Sequence, residues 1–128
     1  MVTTGKKSGD LTTPVSNWYG VTIENDNVIA IKLMFNNFSG EIPDEIGELT
    51  KLENLTLSSN QLTGKLPASI SNFSNLRTLS IFGYRLFGAI PNNIGNLSNL
   101  EELILANKSF YGQLPNSITK LDNLNTLF

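Results

Sequence analysis

The side chains in this sequence that could do acid–base chemistry are carboxylates. Glu41, Asp44, Glu45 and Glu48 fall close together, and Glu101 and Glu102 are adjacent. Glycoside hydrolysis would need two such groups facing each other across a cleft, one with a raised pKa. A run of carboxylates on a solvated surface accounts for the same residues with less. The segment Glu24-Asn25-Asp26-Asn27 faintly suggests a calcium loop, but it lacks the alternating ligands and the distal glutamate of one. There are no cysteines and no histidines, which excludes disulfides, thiol chemistry, imidazole metal ligands and Ser-His triads together. Catalysis, cofactors and metals therefore find no support, and the residues left to consider are those suited to contact. Exposed aromatic and arginine side chains favour binding surfaces, and Met34, Phe82, Tyr84, Arg85, Ile104 and Lys108 are the set singled out below.

What positions them is a repeat. Glycines at 40, 64, 88 and 112 and prolines at 43, 67, 91 and 115 recur every 24 residues without insertion. Ile46, Ile70, Ile94 and Ile118 keep the same step, as do Leu52, Leu76, Leu100 and Leu124, and Leu55, Leu79, Leu103 and Leu127. A fixed period of this length means stacked coils and overrides any local reading of helix or strand. Within one coil, Leu55 and Leu57 alternate with Asn54, Thr56 and Ser58, the period of a half-buried strand. Successive strands are expected side by side as a parallel sheet, with the leucines inward and Asn54, Thr56 and Ser58 outward. Asn60 is expected to bond the backbone of the turn that follows. Ala68 to Asn75 is expected to return as a short 3₁₀ or irregular segment with Ile70 and Phe73 inward.

The pattern L-x-x-L-x-L-x-x-N-x-L-x-G-x-I/L-P-x-x-I-x-x-L resembles the plant-type leucine-rich repeat of 24 residues, and it runs from Val28 to Phe128. The resemblance implies a right-handed α/β repeat solenoid with a parallel concave β-sheet and short 3₁₀ or irregular convex segments. Asp44, Glu45 and Glu48 then fall on the convex side. Trp18-x-Gly20-Val21, followed by a polar turn and a strand, is similar to the N-terminal cap of such domains. Plant versions carry cysteines around W-x-G-V. Ser16 and Ile23 stand in those places here, which makes the cap more similar to the cysteine-free form of microbial surface proteins.

The expected organisation is a flexible arm over residues 1–13, a cap hairpin over 14–33 leading into the first strand, and repeats over 28–128, the last one truncated. The asparagine column reads Asn36, Asn60, Tyr84, Lys108. Tyrosine and lysine cannot replace a small buried amide, so both are expected to swing outward. The final coil closes without a polar segment, so further coils are expected to follow it, or its end to pack on another molecule. Residues 1–13 hold no hydrophobic signal run, and no stretch approaches the length of a membrane span. The net charge of −2 suggests no nucleic-acid partner.

Solenoids of this kind offer the sheet face to partners. Its outward columns read Lys32, Thr56, Ser80, Ile104 and Met34, Ser58, Phe82, Ala106, with Phe87 and Tyr111 at the rim. The expected partner site is on the concave face: Met34, Phe82, Tyr84, Arg85, Ile104 and Lys108. The function this implies is non-catalytic recognition of a protein or peptide. Alternatives are a structural spacer in a larger cell-surface protein, or polysaccharide binding. The resemblance implies a secreted or cell-surface location. Five Asn-x-Ser/Thr sequons, at Asn37, Asn54, Asn72, Asn96 and Asn107, arise largely from the repeat consensus itself.

Overall fold

The chain reverses first at Glu24-Asn25-Asp26-Asn27. Asn25 and Asp26 both take positive φ, 48° and 59°, and Glu24 pairs directly with Asn27. That is a two-residue turn whose twist matches the strands it joins, built from residues that tolerate left-handed backbone. It links β1 (Val21–Glu24) to β2 (Asn27–Lys32) as an antiparallel hairpin. The computed structural model describes residues 18–83, 85–106 and 109–128. The expected arm over residues 1–13 lies outside them.

From β2 onward the chain is a stack of coils. One sheet runs β1-β2-β4-β6-β8-β9, with β4 at Asn54–Thr56, β6 at Thr78–Ser80, β8 at Glu102–Ile104 and β9 at Thr126–Leu127. Beyond the hairpin every pairing is parallel, and the register follows the repeat: Ile31, Leu55, Leu79, Leu103 and Leu127 are successive partners. Leu55, Leu79 and Leu103 are buried in one column. Each fully buried leucine contributes about 1.5–3 kcal/mol relative to exposure, and no coil could bury its own column without its neighbours.

The convex returns are single 3₁₀ segments at Asp44–Glu48, Ala68–Asn72, Ile94–Asn96 and Asn116–Lys120. In each case a proline sits shortly before the helical residues, where its missing N–H costs nothing. Ile70 and Phe73 are fully buried, and Asp44, Glu45 and Glu48 are exposed, as the repeat pattern predicts.

A second sheet, which the sequence pattern did not announce, follows the first in each coil. It comprises β3 (Ser39–Glu41), β5 (Gln61–Gly64) and β7 (Arg85–Leu86), all parallel. An isolated bridge between Gly88 and Phe110 continues it into the last coil. Its register is not the repeat period. Ser39 pairs with Gln61, Glu41 with Thr63 and Gly64 with Leu86, so neighbouring strands are set back by two residues.

Candidate contact surfaces

Asn60 organises the turn between the two sheets. Its Oδ1 accepts hydrogen bonds from the backbone N–H of Asn36 at 3.0 Å and of Phe38 at 3.2 Å, both in the preceding coil. Its Nδ2 donates to the carbonyls of Leu33 at 2.6 Å and Leu57 at 3.0 Å. One buried side chain therefore satisfies backbone groups on two coils that neither sheet reaches. The residue before each asparagine takes left-handed backbone: Phe35 at φ 54° and Ser59 at φ 58°. Gly83, one period on, does not, although glycine would enter that region most easily. The turn thus changes form at the coil where Tyr84 replaces asparagine. Tyr84, Asn107 and Lys108 themselves lie outside the described residues.

A second amide ladder runs on the other side of the coils. Asn99 Nδ2 donates to the Ser74 carbonyl at 2.7 Å, and Asn123 Nδ2 to the Ser98 carbonyl at 2.9 Å. Sequence reasoning missed it, although Asn75, Asn99 and Asn123 share the repeat step.

The concave face differs from the expected one in its middle coils. Thr56, Ser58 and Ser80 are buried, Ser58 completely. The Ser58 hydroxyl lies 3.1 Å from the Ser80 carbonyl and 3.0 Å from the Ser80 hydroxyl. Strands spaced about 4.8 Å apart on an inward-curving face crowd small side chains below larger neighbours, so these polar residues form a floor. Met34 stands above it at 43% exposure, and Phe35 beside it at 73%. Phe82 and Ile104, on the third and fourth coils, are half-buried. Met34, Phe82 and Ile104 share the outward side of the first sheet by their place in the repeat.

Arg85 does not join them. It opens β7 and pairs with Thr63, which places it on the second sheet. The turn after Phe82 carries the chain from one sheet to the other within three residues, so positions adjacent in sequence leave the concave face abruptly. Of the remaining expected site residues, Tyr84 and Lys108 are undescribed.

The second sheet has its own outward side. Arg85 and Phe87 are exposed and flank buried Leu86, the alternation of a strand with one solvent face. Tyr111, one period after Phe87, is 64% exposed. Beside Phe87 lies a groove of about 450 Å³, lined by Ile42, Pro43, Pro67 and Lys65 among others, with Glu41 and Asp44 at its first-coil end. Among the described residues there is no cluster of three histidine, cysteine, aspartate or glutamate side chains that could hold a metal ion. No described helix is long and apolar enough to cross a membrane.

The family model described as a leucine-rich repeat region matches residues 31–128. The chain belongs to the leucine-rich repeat family. Solved structures similar to it include receptor ectodomains of plants. The BIR2 ectodomain of Arabidopsis thaliana superposes with a TM-score of 0.81 at 32% identity, over 88% of this chain and 60% of that one. The BIR3–SERK2 complex of the same plant gives 0.81 at 30% identity, over 95% of this chain and 68% of that one. The plant peptide hormone receptor RGFR1, solved in complex with RGF2, gives 0.76 at 39% identity. This leucine-rich repeat chain covers 87% of its own length there but only 21% of RGFR1. None of the curated proteins matches the chain in sequence.

Proposed function

We propose that this leucine-rich repeat chain is a non-catalytic recognition module that binds a protein or peptide across its concave face. The observation that carries the reading is the apolar set Met34, Phe35, Phe82 and Ile104 standing over the buried Ser58–Ser80 floor. Large apolar side chains, here exposed at Met34 and Phe35 and half-buried at Phe82 and Ile104, favour a contact surface when a rigid sheet presents them together. Phe35 adds weight, because a bulky residue holds a left-handed φ of 54° while 73% exposed. Such strain, of order 1–2 kcal/mol, is tolerated where surrounding structure fixes it. Tyr84 and Lys108 belong to the same proposed site by their place in the repeat.

The similar plant receptors, one solved with a peptide hormone and one with a partner protein, support a peptide or protein ligand and a secreted or cell-surface setting. The organisation that accompanies this reading is an arm over residues 1–13, a cap over 14–33 and repeats over 28–128. The cap, with Ser16 and Ile23 in place of cysteines, is of the microbial, disulfide-free type. The test is selection of peptides from a random displayed library on the immobilised chain. Binding of the selected peptides is expected to fall about ten-fold or more in Met34→Ala/Phe82→Ala and to be unchanged in Asn72→Ala on the convex side. Peptides that bind equally to the concave double variant would refute the reading.

A further inference from the structure

Apart from the concave face, the outward side of the second sheet carries a feature the proposed function does not use. Phe87 and Tyr111 occupy equivalent positions on neighbouring coils, 45% and 64% exposed. Tyr111 N–H donates to the Gly88 carbonyl at 3.1 Å, and Phe87 N–H donates to the Gly64 carbonyl at 2.9 Å. The strands bearing the two rings are therefore neighbours, about 4.8 Å apart, with the rings offset along them by the two-residue setback.

Lys65 reaches this strand from the preceding coil. A Cβ placed on Gly88 would sit 3.1 Å from Lys65 Cγ and 3.4 Å from its Cδ, so the lysine stem lies across that glycine. The two-residue setback of the second sheet produces this arrangement, leaning each coil's side chain onto the following coil. Glu41 does the same one coil earlier, lying across Gly64. Arg85 projects from the same side of the strand as Phe87. Among the described residues neither Lys65 nor Arg85 has an ion-pair partner; the one salt bridge joins Arg77 to Glu101 at 3.0 Å. This side is thus polarised along the solenoid. Glu41 and Asp44 lie on the first coil, and two unpaired cations with two exposed aromatic rings lie on the second to fourth.

We infer that this patch is a second docking surface, and that its occupant is an acidic peptide segment carrying an apolar side chain between carboxylates. The apolar group covers Phe87 and Tyr111, and the carboxylates meet the Lys65 ammonium and the Arg85 guanidinium. Charge complementarity selects this occupant. A basic segment would place its cations against Lys65 and Arg85, which costs affinity. A neutral glycan would leave both charges uncompensated beneath it. The carboxylates Glu41 and Asp44 repel the acidic segment from the first coil and so fix its position along the stack.

The test is a titration of the isotopically labelled full chain, followed by amide resonances. The probes are the capped peptide Glu-Glu-Phe-Glu-Asp, its isostere Gln-Gln-Phe-Gln-Asn, and cellohexaose. The acidic peptide is expected to shift the amides of Lys65, Arg85 to Gly88 and Ser109 to Gly112 saturably, and to bind about ten-fold more tightly than the isostere. That margin is expected to shrink with added salt. Lys65→Glu/Arg85→Glu, exposed substitutions that leave the core intact, is expected to abolish the preference, and Phe87→Ala/Tyr111→Ala to weaken both peptides alike. Equal binding of the two peptides, shifts confined to the concave strands, or cellohexaose acting on the same amides where the acidic peptide does not would each overturn the inference.

Discussion

Replacing Asn60 by alanine removes five hydrogen bonds at once, and their partners show what that costs. The N–H groups of Asn36 and Phe38 lose their acceptor, and the carbonyls of Leu33, Leu57 and, at 3.4 Å, Ser58 lose a donor. Asn60 is 5% exposed, so water cannot fully take its place. A buried polar group left unsatisfied costs about 1–3 kcal/mol, and the two N–H groups, with a single bonding capacity each, dominate. The expected loss for Asn60→Ala is about 3–4 kcal/mol, a large share of the roughly 5–15 kcal/mol that holds a domain of this size together. Asn60→Leu restores the volume without the bonds, so it is expected to recover less than about a third of the loss, because packing is the smaller contribution here. Urea unfolding followed by circular dichroism reads both. A loss below about 1 kcal/mol for alanine, or near-complete recovery by leucine, would show that the bridging amide is not what ties the first two coils together.

The same logic runs in reverse at the gaps in the column: Tyr84→Asn is expected to raise stability by about 1 kcal/mol, read as a higher melting temperature, and to do so only while Asn60 is intact. Gly95→Ala would drive a methyl group into the Ser117 backbone carbonyl, and is expected to cost about 2–3 kcal/mol. Gly40→Ala meets no atom within 4 Å, so it should cost only the backbone strain of its φ of 101°, about 1–2 kcal/mol; equal melting temperatures for the two variants would contradict this. At the far end, β9 leaves an unpaired edge among the described residues, with Leu127 and Phe128 at 53% and 79% exposure.

Much of this architecture was legible because it repeats. Leu55, Leu79 and Leu103 lie in one column since the same spacing recurs without insertion, and a parallel register admits no other alignment. The cap hairpin was readable from Asn25 and Asp26, whose side chains suit left-handed backbone. The second sheet was not readable. Ser39–Glu41, Gln61–Gly64 and Arg85–Leu86 are short, two of them contain glycine, and their setback is invisible in a sequence whose only period is the other sheet's. That omission misplaced Arg85. Polarity also misled at Thr56, Ser58 and Ser80: hydroxyl side chains suggested solvent, whereas their small size let neighbours cover them and let Ser58 and Ser80 satisfy each other. For the contact residues, the sequence offered candidates by type, and only the sheet assignment divides them into a concave group with Met34 and Phe82 and a separate group around Phe87.

The setback of the second sheet makes that side of the molecule a mosaic of seams. Lys65 lies on Gly88 and Glu41 on Gly64, so each stretch of surface is assembled from one coil's side chain and the next coil's backbone. Excising or duplicating a whole coil would preserve the leucine column yet rewrite the surface at the new junction. Chemical identity on this side is inherited by adjacent pairs, and exchanging repeats is a direct route to new contacts without disturbing the core.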